Sequence, residues 1–78
     1  MKQREIKVLG GGCANCQKLL EHVKTALAET GMEADVEYVT DFVRIASYGI
    51  MLTPALLVDG KTVSKGRVLS VEEIKTFL

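Results

Sequence analysis

Tryptophan is absent from this sequence, proline and histidine occur once each, and cysteine occurs twice. Two cysteines allow one internal disulfide at most, which excludes the dense disulfide framework of small secreted domains. Net charge is lacking as well. Ten Lys plus Arg balance ten Asp plus Glu, so the chain carries no basic footprint for nucleic acid. Long apolar runs are missing too: the longest, residues 49–58, is interrupted by Thr53-Pro54 and falls far short of the roughly 20 residues that span a bilayer. Where a signal peptide would have its apolar centre, residues 1–9 carry Lys2, Arg4, Glu5 and Lys7. These absences lead to the expectation of a soluble cytoplasmic protein with neither a membrane nor a nucleic acid as partner.

What remains is a chain of 78 residues, 47% of them hydrophobic, which suits one compact domain over residues 1–78 and argues against disorder. Ile6 to Leu9 is a short apolar run ending at Gly10-Gly11-Gly12, the pattern of a buried strand leaving through a flexible turn. From Cys16 onward Leu19, Leu20, Val23, Ala26 and Leu27 recur at helical spacing, and Gly31 is a natural stop. Ala34, Val36 and Tyr38 then alternate with Glu33, Asp35 and Glu37, the period of a strand with one solvated face. Thr40 or Asp41 can cap a short helix with Phe42, Ile45 and Ala46 on its apolar face, ending near Gly49.

After Pro54, the run Ala55 to Val58 and the run Lys61 to Ser64 flank Asp59-Gly60, the dipeptide that favours a tight antiparallel hairpin because both turn positions take positive φ. Ser70 with Glu73 three residues later reads as a capping box, and Val71, Ile74, Phe77 and Leu78 supply the last helix with an apolar stripe. The order is βαβαββα, an α/β architecture with a four-stranded mixed sheet and helices on both faces.

The pair Cys13-Ala14-Asn15-Cys16 falls where the first strand has ended and a helix begins. A disulfide across so short a loop braces a fold weakly, so the pair reads as chemistry rather than scaffolding. At a helix N-terminus the unpaired N–H groups and the dipole favour an anion, which lowers a thiol's pKa below the ordinary value of about 8.5. Cys13 is therefore the expected nucleophile, and Cys16, one turn deeper on the same face, the expected resolving thiol. Two thiolates also suit Cu(I) or half of a zinc site, but His22, the remaining soft ligand, projects away from the cysteines on what reads as a solvated face. No metal and no cofactor are expected.

With these residues in view, the chain resembles the thioredoxin/glutaredoxin superfamily, and within it the small prokaryotic proteins called redox-active disulfide protein 2 or minimal thioredoxins. CANC after the first strand, Thr53-Pro54 before the third, and Asp59-Gly60-Lys61 ahead of a terminal helix carry the resemblance across nearly the whole chain. It implies a thiol-disulfide oxidoreductase active in cell redox homeostasis, with a cis Thr53-Pro54 bond beside the cysteines. Gly12, Ala14, Asn15, Thr53 and Pro54 would then meet an extended segment of a disulfide-containing protein substrate, and a separate thiol-disulfide reductase would regenerate the dithiol. Lys7 stands where many thioredoxins carry a buried acid. Glutathione is not favoured as a partner, because Lys18, Lys65 and Arg67 read more simply as solvated charges, and a monomer is the default. The rivals are a Cu(I) chaperone of the heavy-metal-associated type, which GGGCANC also resembles but whose order is βαββαβ, and a thioredoxin-fold adaptor without turnover.

Overall fold

In a computed structural model, which describes residues 4–12 and 14–78, the elements follow the order read from the sequence. They are β1 (Arg4–Leu9), α1 (Ala14–Thr30), β2 (Ala34–Val39), α2 (Phe42–Ser47), β3 (Ala55–Val58), β4 (Lys61–Lys65) and α3 (Val71–Lys75). The four strands form one sheet in the order β2-β1-β3-β4. β1 and β2 are parallel, Ile6 opposite Val36, and the other two pairings are antiparallel. A parallel neighbour needs a long crossover, which the 17 residues of α1 provide.

The alternation of β1 divides the core in two. Ile6 and Val8 face α1 and α3, where they are buried with Leu19, Val23, Ala26, Leu56, Val58, Leu69 and Ile74. Leu9 faces the other way, into a smaller cluster with Val39, Ile45, Ile50, Ala55 and Leu57 beneath α2. Every residue of β3 is buried, as befits a strand with neighbours on both edges and helices on both faces.

Three expectations about side chains are corrected. The six residues of α2 turn only Ile45 into the core, while Phe42 and Ala46 are exposed, because so short a helix has room for one inward position. Phe77 and Leu78 lie beyond the end of α3, and Phe77 is exposed at the rim while Leu78 packs partly against the core. His22 is half-buried rather than solvated, its Nδ1 lying 2.8 Å from the carbonyl oxygen of Leu69, which ties α1 to the loop ahead of α3.

The hairpin is as the sequence indicates, with Asp59 at φ 53° and Gly60 at φ 81°. Asp59 also clamps the start of β1. Its Oδ1 accepts from the Glu5 N–H at 3.0 Å, its own N–H donates to the Glu5 carbonyl at 2.7 Å, and its other oxygen pairs with Arg4. On β4, Val63 is an extra residue between Ser64, opposite Leu56, and Thr62, opposite Leu57.

At the start of α3 the capping box is complete: Ser70 Oγ accepts from the Glu73 N–H and Glu73 Oε1 from the Ser70 N–H, each at 3.1 Å. The bond from the Ser70 backbone, followed by the charge of Arg67, holds the Glu73 carboxyl below its ordinary range. Because the folded pKa is the lower one, this stabilisation is present above the ordinary glutamate value and is lost as pH falls through the lowered value.

Two outcomes are expected in urea unfolding at neutral pH. Ser70→Ala should lose about 1 kcal/mol, as N-cap removal does, with Glu73→Gln milder and converging on wild type in acid. Asp59→Ala, which places an ordinary side chain at positive φ, should lose roughly 1–2 kcal/mol, and Asp59→Asn less, since asparagine tolerates that conformation.

Candidate active site

Gly10, Gly11 and Gly12 carry the chain from β1 to α1, and each is small for its own reason. Gly12 has φ 86°, a conformation that side chains disfavour. Neither Gly10 nor Gly11 is in that region; their smallness is steric. A Cβ on Gly10 would lie 2.2 Å from Cys16 Sγ, and one on Gly11 would lie 2.8 Å from the tip of the Phe42 ring. Gly10 is itself buried, and its N–H donates to the Val39 carbonyl at 3.0 Å, one step beyond the last residue of β1.

Cys16 is the third residue of α1 and heads its inward row, followed by Leu19, Val23 and Ala26. Its side chain is fully buried. The first turn of α1 holds no acidic residue, so the amino end of the helix keeps its positive character where Cys16 lies. Gln17 Nε2 donates to the Gly12 carbonyl at 3.3 Å, bracing the turn. Ala14 and Asn15 are exposed beside it. Cys13, the expected nucleophile, lies outside the described residues.

The second strand of the site arrives through β3. The Thr53-Pro54 peptide bond is cis, as the resemblance implied. Leu9 pairs with Ala55, so continuing that antiparallel register by one residue sets Pro54 across from Gly10. On its other side Pro54 accepts a 2.8 Å hydrogen bond from the Gly66 N–H, which brings the end of β4 into the site. Pro54 is buried and Thr53 exposed. Around this end of the sheet Phe42, Met51 and Leu52 are exposed, Met51 almost completely, and Leu52 packs against Gly66.

Lys18 and Lys65 are exposed, and Arg67 is exposed but paired with Glu73 at 2.9 Å. Lys7 is half-buried, opposite Glu37 in β2. A hydrogen bond from Arg44 holds the Glu37 carboxyl below its ordinary range, and the charge of Lys7 adds to the effect. Among the described residues no group of three or more His, Cys, Asp or Glu could hold a metal ion, and no helix is long and apolar enough to cross a membrane.

Gly12, Ala14, Asn15 and Cys16 thus lie in the turn and the first helical turn, with Thr53 and Pro54 in the segment that leads into β3. Sequence reasoning missed Gly10 and Phe42. The signal for Gly10 was three consecutive glycines where a turn needs only one; nothing in the sequence marked Phe42, an apolar residue in an apolar row.

The family model described as a thioredoxin domain matches residues 4–78. The chain is 40% identical over 74 residues to a protein named thioredoxin from Methanothermobacter thermautotrophicus, covering 95% of this chain and 96% of that one. It is also 40% identical over 70 residues to a protein named thioredoxin from Methanocaldococcus jannaschii, covering 90% of this chain and 80% of that one. The terminal helix α3 separates the fold from the heavy-metal-associated order, which closes on a strand. Sheet order, helix placement and these matches agree: the chain belongs to the thioredoxin family and has a thioredoxin-like α/β fold with redox function of the oxidoreductase kind.

Proposed function

We propose that this protein is a small cytoplasmic thiol-disulfide oxidoreductase that exchanges disulfides with partner proteins through Cys13 and Cys16. The observation that carries the reading is the burial of Cys16 in the first turn of α1, its sulfur against Gly10 at the same sheet end as Pro54. A buried second thiol suits the resolving role, which leaves the attacking role to Cys13.

In the reaction, the Cys13 thiolate attacks a disulfide of the substrate protein. One sulfur of the substrate becomes bonded to Cys13, and the other leaves as a thiolate that takes up a proton. Cys16 then gives up its proton and attacks Cys13 Sγ; the Cys13–Cys16 bond forms, the mixed disulfide breaks, and the second substrate thiol is released. Two electrons pass from the dithiol to the substrate, and a thiol-disulfide reductase returns two electrons to the protein. Gly12, Ala14, Asn15, Thr53 and Pro54 contact the extended substrate segment, Thr53 through its backbone. The protein acts as a monomer, and glutathione is not the favoured partner: Lys18 and Lys65 are exposed, and Arg67 is paired with Glu73.

The test is alkylation of the reduced protein across pH, read for each cysteine by mass spectrometry. Cys13 should react fast with an apparent pKa below that of an ordinary cysteine, while Cys16 should be protected until the protein unfolds; two thiols reacting alike would remove the assignment. Substrate trapping checks the roles separately. Cys16→Ser should accumulate mixed disulfides through Cys13 and Cys13→Ser should abolish exchange, whereas stable adducts through Cys16 would reverse the two roles.

A further inference from the structure

We infer that Gly10 is a positioning residue for the second half of the exchange, its missing side chain forming the seat that fixes the Cys16 sulfur for attack on the mixed disulfide. The inference rests on the dithiol reading above and extends it to a residue outside the Cys-x-x-Cys segment. A Cβ at Gly10 would come to 2.2 Å from Cys16 Sγ and 2.9 Å from Cys16 Cβ, well inside the roughly 3.5–4.0 Å of an ordinary nonbonded contact. Rotating the sulfur away would relieve the first contact and leave the second, so the Cys16 side chain as a whole would have to shift.

The other side of the contact cannot yield cheaply. Gly10 is buried, its N–H is bonded to the Val39 carbonyl at 3.0 Å, and its chain continues directly from the central strand β1. Its φ lies outside the left-handed region, so backbone conformation does not explain the glycine; the sulfur does. Gly11 supplies the contrast. There a Cβ would meet the far end of Phe42, a ring 69% exposed and free to swing outward.

An added methyl at position 10 therefore bears directly on Cys16, the residue of the second step. Misplacement of a reacting atom by about an ångström slows its step by up to roughly 100-fold. The step affected is the one in which Cys16 Sγ bonds to Cys13 Sγ and the mixed disulfide releases its second thiol.

Reduced protein mixed with 5,5′-dithiobis(2-nitrobenzoic acid) resolves the two steps. The first thionitrobenzoate leaves on attack by Cys13, in a phase whose rate depends on reagent concentration; the second leaves on attack by Cys16, in a phase that does not. Gly10→Ala should keep the first rate within about twofold and slow the second about 10–100-fold, and Gly11→Ala should keep both. An unchanged second phase in Gly10→Ala, or an equal slowing of both phases, would overturn the inference. Should Gly10→Ala fail to fold, the same change in a Cys16→Gly background, which removes both the sulfur and the Cβ, decides against Cys16→Gly alone: recovery of folding to the level of that single variant identifies the Cys16 side chain as the obstacle, and equal unfolding refutes it. A concentration-independent second release that persists in Cys16→Ser would remove the dithiol reading itself, whatever Gly10→Ala does.

Discussion

The contact between the Cys16 sulfur and the backbone of Gly10 fixes how closely α1 can approach the sheet at its reactive end. Along β1 the residues facing α1 are Ile6 and Val8, and the row continues past the strand to Gly10. The helix offers Val23, Leu19 and Cys16 in the opposite order. Large side chains meet at the far end of this layer and the smallest pair meets at the near end, so the helix converges on the sheet where its first turn must present a thiol. Close packing makes that distance a property of the whole layer, since the interior has little slack to absorb a methyl group.

The two faces of the sheet divide the work unequally. Among the described residues, the hydrophobic cluster beneath α1 and α3 has nine buried members and that beneath α2 has six, so the element bearing Cys16 rests on the larger core. α2 is short and contributes only Ile45 to that smaller core. In a chain this small the margin of stability is thin, and local devices add to packing: a complete capping box on α3, an Asp41 cap on α2, and Asp59 binding the hairpin to the start of β1. The exposed ion pairs add little to this. Asp59 acts at the end of β3 remote from Pro54, where the chain spends positive φ on a turn that is also a clamp. At the other end, Gly10 and Gly11 provide clearance for a sulfur and a ring.

The elements were legible in the sequence wherever a local pattern had a single physical solution. Asp59-Gly60, Ser70 with Glu73, and the helical spacing from Cys16 to Leu27 each specify one geometry, and each is found. The cis bond at Thr53-Pro54 came from family resemblance; local chemistry made it permissible and no more. What escaped was contact between segments distant in sequence. His22 looks solvated on its own helix because its partner is the carbonyl of Leu69, 47 residues away. Phe42 looks like core on its own helix because the backbone it covers, Gly11, belongs to another element. The glycine run shows the same limit: three identical residues answer to a torsion angle, a sulfur and a ring, and only the turn could be read locally.

The alternation of β1 also bears on the proton that Cys16 must lose. Ile6, Val8 and the direction of a Cβ on Gly10 point toward α1, whereas Leu9 and the direction of a Cβ on Gly11 point toward α2. By that period Lys7 belongs to the α2 face, where its charge acts on Glu37 across the ladder and Glu37 in turn holds Arg44. The sheet lies between this charged row and the Cys16 sulfur. The position where the resemblance implies an acid holds Lys7 here, opposite Glu37 in the ladder. In the exchange proposed above, the proton of Cys16 would therefore pass to groups on the α1 side of the sheet or to the leaving thiolate of the partner, a base that the reaction itself creates.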